Sequence, residues 1–217
     1  MPATKAPPRK RIRRTPEQAR RNLLDAALAV IRTEGIAAAT TVSITRQAKV
    51  SQSSFYQHFN SVDQCLKEAA EKVAREIRQF IADDRRRIHA EGASDEVHAA
   101  HYLAILHLFQ QQRPLAEVLL RGRFDPSPVG QVMGKLVDQI RDDLRQYLWG
   151  TAQQLGIAEK HQPRAALLAE FIQAKVMAAG EALLAGRIAE EKLLAEELAA
   201  TVAAESMDLV QRCLSDN

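Results

Sequence analysis

Cysteine is almost absent from this chain of 217 residues: Cys65 and Cys213 are the whole supply. Two thiols cannot build the disulfide framework of a small secreted domain, and a reducing cytoplasm is the expected compartment. Aromatic residues make up 5% of the chain and glycines number nine. Runs of alternating β-branched residues are missing, so no strand or hairpin is expected. No apolar stretch reaches the ~18 uninterrupted residues that read as a membrane span. The basic N-terminus lacks the apolar centre of a secretory signal. No repeat recurs at a fixed period, which argues against a helical solenoid. Glycine-rich phosphate loops, a G-x-S-x-G elbow and an H-E-x-x-H helix are all missing, so the expectation is no enzyme and no cofactor.

Alanine, by contrast, occurs 36 times, and Leu, Glu, Arg and Gln fill most of the rest. These are the strong helix formers, and the expected fold class is all-α. The net charge of +3 hides a division: residues 1–60 sum to +8 and residues 61–217 to −5. A basic end on an acidic body suits a protein of which one part meets a polyanion. Residues 1–14 hold three prolines, six Lys/Arg and no acid, and should form a disordered arm. Arg9, Lys10, Arg11, Arg13 and Arg14 suit the phosphate backbone or an A/T-rich minor groove; a loose tail giving only non-specific, salt-sensitive affinity is an equal reading.

Helix punctuation divides the remainder. Thr15-Pro16-Glu17-Gln18 reads as a capping box with proline at the first helical position, and Gly35 as a left-handed stop. Short helices are expected at 42–48 and 52–58, the second capped by Ser51. Ser61 and Gln64 open a long helix to about Glu91, with Leu66, Ala70, Val73, Ile77 and Phe80 at helical spacing. Further helices are expected near 95–112, 114–121, 128–154, 163–185 and 188–214. The expected organisation is an arm at 1–14, a helix-turn-helix unit at 15–60 and a helical body at 61–217.

Two short helices joined by a tight turn beside a basic arm suit the major groove of B-DNA, one helix entering and the other bracing it. Ile44 and Ala48 pack inside the pair, Val50 plugs the turn, and Phe55 and Phe59 anchor the second helix to the core. Gln52, Ser53, Ser54, Gln57 and His58 are left outside. Gln suits adenine edges, Ser suits base edges or phosphates, and the Tyr56 tip can reach a phosphate.

Over residues 20–66 the sequence resembles the DNA-binding domain of the TetR family of transcriptional regulators. The matching residues are Arg21-Asn22-Leu23-Leu24-Asp25-Ala26-Ala27, Gly35, Thr40-Thr41, Ile44, Ala48-Lys49-Val50-Ser51, Ser54-Phe55-Tyr56-Gln57-His58-Phe59, Ser61-Val62-Asp63 and Leu66. The resemblance implies a homodimer whose two recognition helices enter successive major grooves of a palindromic operator. It implies phosphate contacts at Thr40, Thr41 and Tyr56, and places Gln52, Ser53, Ser54, Gln57 and His58 on the recognition helix. Lys49 departs from the pattern, standing where the family usually has Gly. That predicts either a different backbone conformation in the turn or an added phosphate contact from its ammonium. Val62 replaces a Lys that often caps the next helix. Ser54-Phe55-Tyr56 and Val62-Asp63 are similar to a subgroup that controls fatty-acid synthesis and desaturation.

The body supplies two expectations. Leu168, Phe171, Ile172, Val176, Ala179, Gly180 and Leu183, with Leu184, form one apolar face. Leu194, Leu198, Val202, Leu209 and Cys213 form another. The resemblance implies that these last two helices build a four-helix dimer interface; burial within one subunit is the other reading. It also implies a small-molecule effector inside the bundle, for which Phe80, Tyr102, Leu106, Phe109, Phe124, Tyr147, Trp149 and Phe171 are candidate lining residues, although ordinary core is the plainer reading of each. Arg121 and Arg123 beside Phe124 suit a carboxylate or phosphate at a pocket mouth. His98, His101 and His107, with Glu96 or Glu117, have a spacing that metal sites use, but no metal site is expected because no Cys or further ligand completes the pattern. The expected function is thus a cytoplasmic homodimeric repressor that binds an operator in double-stranded DNA, with no membrane partner. A small effector, apolar or acyl-bearing, would release it. A helical adaptor for a protein partner is the competing reading.

Overall fold

A computed structural model describes residues 15–91, 94–121, 126–154 and 162–186, together with 196–197, 199–201, 203–204 and 208. Eight α-helices are defined: α1 Pro16–Glu34, α2 Thr41–Ala48, α3 Gln52–Tyr56, α4 Val62–Glu91, α5 Asp95–Gln111, α6 Arg113–Arg121, α7 Pro128–Gln154 and α8 Gln162–Leu184. A short 3-10 turn, Ile36–Ala38, joins α1 to α2. The described residues contain no strand. None of their helices is long and apolar enough to cross a membrane. The expected helix at 188–214 falls largely outside the described residues, and those described within it are helical. The basic arm also lies outside them.

The caps explain where the helices begin. Thr15 and Gln18 exchange backbone-to-side-chain bonds of 3.2 Å each, and Pro16 occupies the first turn. Thr40 and Ser43 do the same for α2, at 2.9 and 3.2 Å. At α4 the Gln64 N–H donates to Ser61 Oγ at 3.1 Å, but the Gln64 side chain accepts from Asn60 rather than from Ser61, at 2.8 Å. Gly35 stops α1 at φ 87°, ψ 168°. This is not the left-handed helical stop expected, but it is a conformation open to glycine alone, and it turns the chain directly into the 3-10 turn.

Two apolar clusters fill the interior. The first joins Leu23, Ala27 and Ile31 of α1, Ile44 of α2, and Phe55 and Phe59 to Cys65, Leu66, Ala69, Ala70 and Val73 of α4. It continues without a break into Leu115 and Leu119 of α6 and Met133 and Leu136 of α7. The second joins Tyr102 and Leu106 of α5, Leu148 of α7, and Leu168, Ile172 and Leu183 of α8 to Ala199 and Ala203. Helix α4 packs most extensively against α7 and also lies along α1. Polar ties cross the same seams. Arg32 donates to Gln112 at 3.0 Å, and Arg113 donates to the Leu184 carbonyl at 2.6 Å. The buried Gln173 of α8 donates to the Val137 carbonyl of α7 at 2.8 Å.

The register of α8 divides its apolar face between two surroundings. Leu168, Ile172, Ala179, Gly180 and Leu183 are buried within the subunit, and Val176 packs half-buried against the same cluster. These side chains have little surface left for a second chain. The outward face of α8 instead carries Leu167 and Phe171, one helical turn apart, 54% and 50% exposed. Gly180 is small because of its own subunit: a Cβ there would lie 2.1 Å from the Phe109 ring of α5. We expect Gly180→Ala to lower folding stability by about 1–3 kcal/mol, since the ring must leave its packed position. Urea unfolding followed by circular dichroism checks this; an unchanged midpoint would mean that the α5–α8 contact is not close-packed.

Candidate nucleic-acid interface and body sites

The face presented by α2 and α3 is built by burying one side of each short helix. Ile44 and Phe55 are fully buried, while Tyr56, next in sequence to Phe55, is 56% exposed. The two rings meet edge to face at 5.4 Å, which sets the direction of the Tyr56 side chain. Its hydroxyl lies 3.4 Å from Thr41 Oγ1, so the end of α3 and the start of α2 present neighbouring hydroxyls on one surface. Gln52, Ser53 and Gln57 are exposed, and Ser54 and His58 are half-buried. Ser51 caps α3 by accepting from the Ser54 N–H at 3.2 Å, and its hydroxyl also pairs with Ser53 at 2.8 Å. Thr40 is exposed and serves as the α2 cap; Thr41 is half-buried. Helix α3 ends at Tyr56, short of the expected residue 58, because the Phe55 carbonyl takes bonds from both the His58 and Phe59 N–H groups and tightens the last turn.

Lys49 sits exposed in the turn between the helices with φ 55° and ψ 48°. The turn therefore keeps the left-handed conformation natural to glycine, with Lys in it, rather than adopting a new one. Bonds from the Lys49 N–H to the Arg46 carbonyl at 3.2 Å and from the Val50 N–H to the Thr45 carbonyl at 3.0 Å close α2. Val42, 57% exposed beside Thr41, belongs to the same surface and was not singled out from sequence. The signal was there: Ile44 and Ala48 define the inner face of α2, and Val42 does not share it. Val62, the departure at the start of α4, packs half-buried on the first cluster.

Behind this surface, α1 and α4 are clasped together. Arg20 forms a two-pronged pair with Glu68, one prong at 2.7 Å, and its guanidinium stacks 4.4 Å over the Phe59 ring. The bond from Arg20 holds the Glu68 carboxyl below its usual range, against the opposing effect of burial. Lys72 pairs with Asp25 at 2.6 Å one turn further on. Burial pushes the Cys65 thiol up to about 12, so it stays protonated inside the clasp.

The candidate residues in the body are not gathered at one place. Tyr102 and Leu106 are buried in the second cluster, with Tyr147 and Trp149 half-buried against it. Phe109 belongs to the first cluster, Phe80 is half-buried, and Phe171 faces outward. The Arg121 side chain, Arg123, Phe124, Leu194, Leu198, Val202, Leu209, Cys213 and the arm residues Arg9, Lys10, Arg11, Arg13 and Arg14 lie outside the described residues.

His101 has a different partner from those its spacing suggested. It is buried and bonds through Nδ1 to Asp84 of α4, whose other oxygen accepts from Arg87 at 2.7 and 3.0 Å. Burial pulls the Asp84 carboxyl up, but the bonds from Arg87 and His101 outweigh it and hold the group below its usual range. Burial likewise lowers His101, partly offset by Asp84. His98 binds the Ser94 carbonyl at 2.9 Å, and Glu117 pairs with Arg113 at 3.2 Å. Among the described residues no three His, Cys, Asp or Glu side chains converge as metal ligands. The buried Asp84 and half-buried Arg85 were missed by sequence reasoning, because charged residues on a long helix ordinarily read as solvated surface.

Residues 23–69 match the family model for bacterial regulatory proteins of the tetR family. No curated protein matches the sequence. Solved structures share the fold over nearly the whole chain. A TetR-family transcriptional regulator from Syntrophomonas wolfei is 17% identical, with 90% of this chain and 96% of that chain covered and a TM-score of 0.63. The fatty acid degradation regulator FadR from Bacillus halodurans is 16% identical, with 87% and 94% covered and a TM-score of 0.64. The FadR repressor of Thermus thermophilus, solved with lauroyl-CoA, is 14% identical, with 91% and 96% covered and a TM-score of 0.57.

A left-handed conformation costs a non-glycine residue roughly 1–2 kcal/mol, part of which a glycine loses again through its freer unfolded chain. Lys49→Gly should therefore raise folding stability by up to about 1 kcal/mol. A thermal melt with a higher midpoint is the expected result; a lower one would mean that the lysine side chain holds the turn.

Proposed function

We propose, from the tetR-family match of residues 23–69 and the fold shared with tetR-family structures, a homodimeric repressor that binds a palindromic operator and is released by a small effector. The observation that carries this reading is the polar face of α3. Tyr56 is 56% exposed and shares a surface with Thr41, while its neighbour Phe55 is fully buried. A residue type that large and amphipathic, held outward beside exposed Gln52, Ser53, Gln57 and Lys49, suits a groove and its flanking phosphates. Thr40, Thr41, Lys49 and Tyr56 would hold phosphates; Gln52, Ser53, Ser54, Gln57 and His58 would read bases. Arg11, Arg13 and Arg14 of the arm would add backbone contacts. The charge of +8 over residues 1–60 supports the same assignment.

Residues 15–60 form the DNA-reading unit in this proposal, and 61–217 sense and dimerise. Leu167 and Phe171, outward on α8, are the centre of the dimer face in this proposal, to which Leu194, Leu198 and Val202, outside the described residues, would contribute. The protein acts by binding and not by catalysis, in the cytoplasm. The effector is apolar or acyl-bearing, and occupies the body near Tyr102, Leu106 and Tyr147. The T. thermophilus neighbour, solved with lauroyl-CoA, supports that class. An effector that prefers one spacing of the two DNA heads lowers operator affinity by its differential affinity for that state. Helix α4 is the lever, since its first half packs under the head and the rest lies in the body.

Band-shift assays with duplex DNA from upstream of the protein's own coding sequence test this. We expect a saturable complex that resists unrelated competitor and weakens steeply with salt, by about 1000-fold or more between 50 and 200 mM if six or more phosphates are neutralised. The Tyr56→Ala/Gln57→Ala double variant should keep its circular dichroism and lose the complex. A double variant that binds as well as wild type would reject the recognition surface, and a salt-insensitive complex would favour the adaptor reading.

A further inference from the structure

Three consecutive arginines on α4, Arg85, Arg86 and Arg87, have unlike surroundings. Arg86 is exposed and pairs with Asp83; Arg87 is exposed and pairs with Asp84. Arg85 is half-buried in the bundle, and among the described residues it forms no ion pair or hydrogen bond. Its contact is with a ring: the guanidinium carbon lies 5.8 Å from the centre of Tyr147 of α7. Burial lowers the basicity of this group, and Asp143, Tyr147 and Tyr102 are the neighbours that act against that. Asp143 is engaged elsewhere, accepting from Arg78 at 3.2 Å. Burying a cation without an anion is unfavourable, and proteins ordinarily pair such a group or keep it for a ligand. The least exposed of the three arginines is the one with no carboxylate at ion-pair distance among the described residues.

The surroundings define what would fit. Arg85 lies where α4, α5 and α7 meet, beside His101 and Tyr102 of α5 and Tyr147 of α7. The second apolar cluster begins there, with Leu106, Leu144 and Leu148. We propose that Arg85 is the anchor for the anionic head of a small amphiphile, a carboxylate or a phosphate, whose hydrocarbon part lies along Leu106, Leu144 and Leu148. The planar fork of a guanidinium suits either head group with two parallel bonds. This inference rests on the effector reading above and names the head group that such an effector carries.

The full-length protein is titrated by calorimetry with decanoate, decyl phosphate and decanol, each below its micelle concentration, for wild type, Arg85→Met and Arg85→Lys. The single tryptophan, Trp149, packs against the same cluster and gives a fluorescence readout of the same titrations. Wild type should bind at least one of the two anions about tenfold or more tighter than decanol, and which anion wins distinguishes carboxylate from phosphate. Arg85→Met should lose that preference, bind decanol as wild type does, and melt at the same temperature or higher, since a half-buried charge with no ion-pair partner has been removed. Arg85→Lys should keep part of the preference. The proposal is overturned if no amphiphile binds, if decanol matches both anions, or if Arg85→Met binds the anions undiminished; should Arg85→Met not fold, full retention of anion affinity by Arg85→Lys overturns the two-pronged anchor. Operator binding is measured in parallel. An intact band shift with no anion bound rejects this site and leaves the regulator standing, whereas an anion held by Arg85 that never releases DNA rejects the effector reading and leaves the site.

Discussion

The clasp between α1 and α4 is the constraint on which the rest of the molecule depends. Leu23, Ala27 and Ile31 bury against Cys65, Ala69 and Val73, and Arg20 closes the seam by bonding Glu68 while stacking on Phe59. Each fully buried large side chain here contributes on the order of 1.5–3 kcal/mol relative to exposure. The ion pair adds a smaller amount and, more usefully, a direction. Because the same Arg20 touches both Glu68 of α4 and Phe59 at the foot of α3, the reading surface and the long helix cannot rotate independently without breaking that contact. In the proposed function, a displacement of α4 in the body would be passed to α3 through this contact.

That coupling gives the body's polar chemistry its meaning. Apart from this clasp, α4 is tied to the body by Arg78–Asp143 toward α7 and by Asp84–His101 toward α5. Both ties, and Arg85 next to the second, lie on the second half of α4. In the proposed function, a ligand bound there would act on α4 directly. Two further bonds, Arg32 to Gln112 at the end of α5 and Arg113 to the Leu184 carbonyl, join α1 and α8 to the α5–α6 turn.

Much of this was legible in the residues, and for local reasons. Thr15-Pro16-Glu17-Gln18, Thr40 with Ser43, and Ser51 are capping signals that depend on three or four neighbouring residues, so helix starts follow from sequence. Phe55 and Phe59 inside and Tyr56 outside follow from helical spacing alone. What was not legible depends on which partner covers a face. Periodicity marks Leu168, Ile172 and Gly180 as apolar or small, but it does not say that Phe109 of the same subunit fills the space against Gly180. Nor does it separate them from Leu167 and Phe171, which the register turns outward. Long-range polar pairs were equally hidden: Asp84 and His101 are seventeen residues apart in different helices, and nothing local joins them. Lys49 illustrates the reverse case, where the local rule against a non-glycine residue at positive φ yielded to the closing hydrogen bonds of the turn.

The central claim is that α3, carried on α4 and presented twice by a dimer, reads a symmetric DNA sequence. Selection of bound duplexes from a random pool by the purified full-length protein, followed by sequencing, tests it most directly. The account predicts an inverted repeat with two equal half-sites, lost when the pool is selected with the Tyr56→Ala/Gln57→Ala protein. Enrichment of a single unrepeated motif, of the same motif with the double variant, or of no motif at all would contradict it.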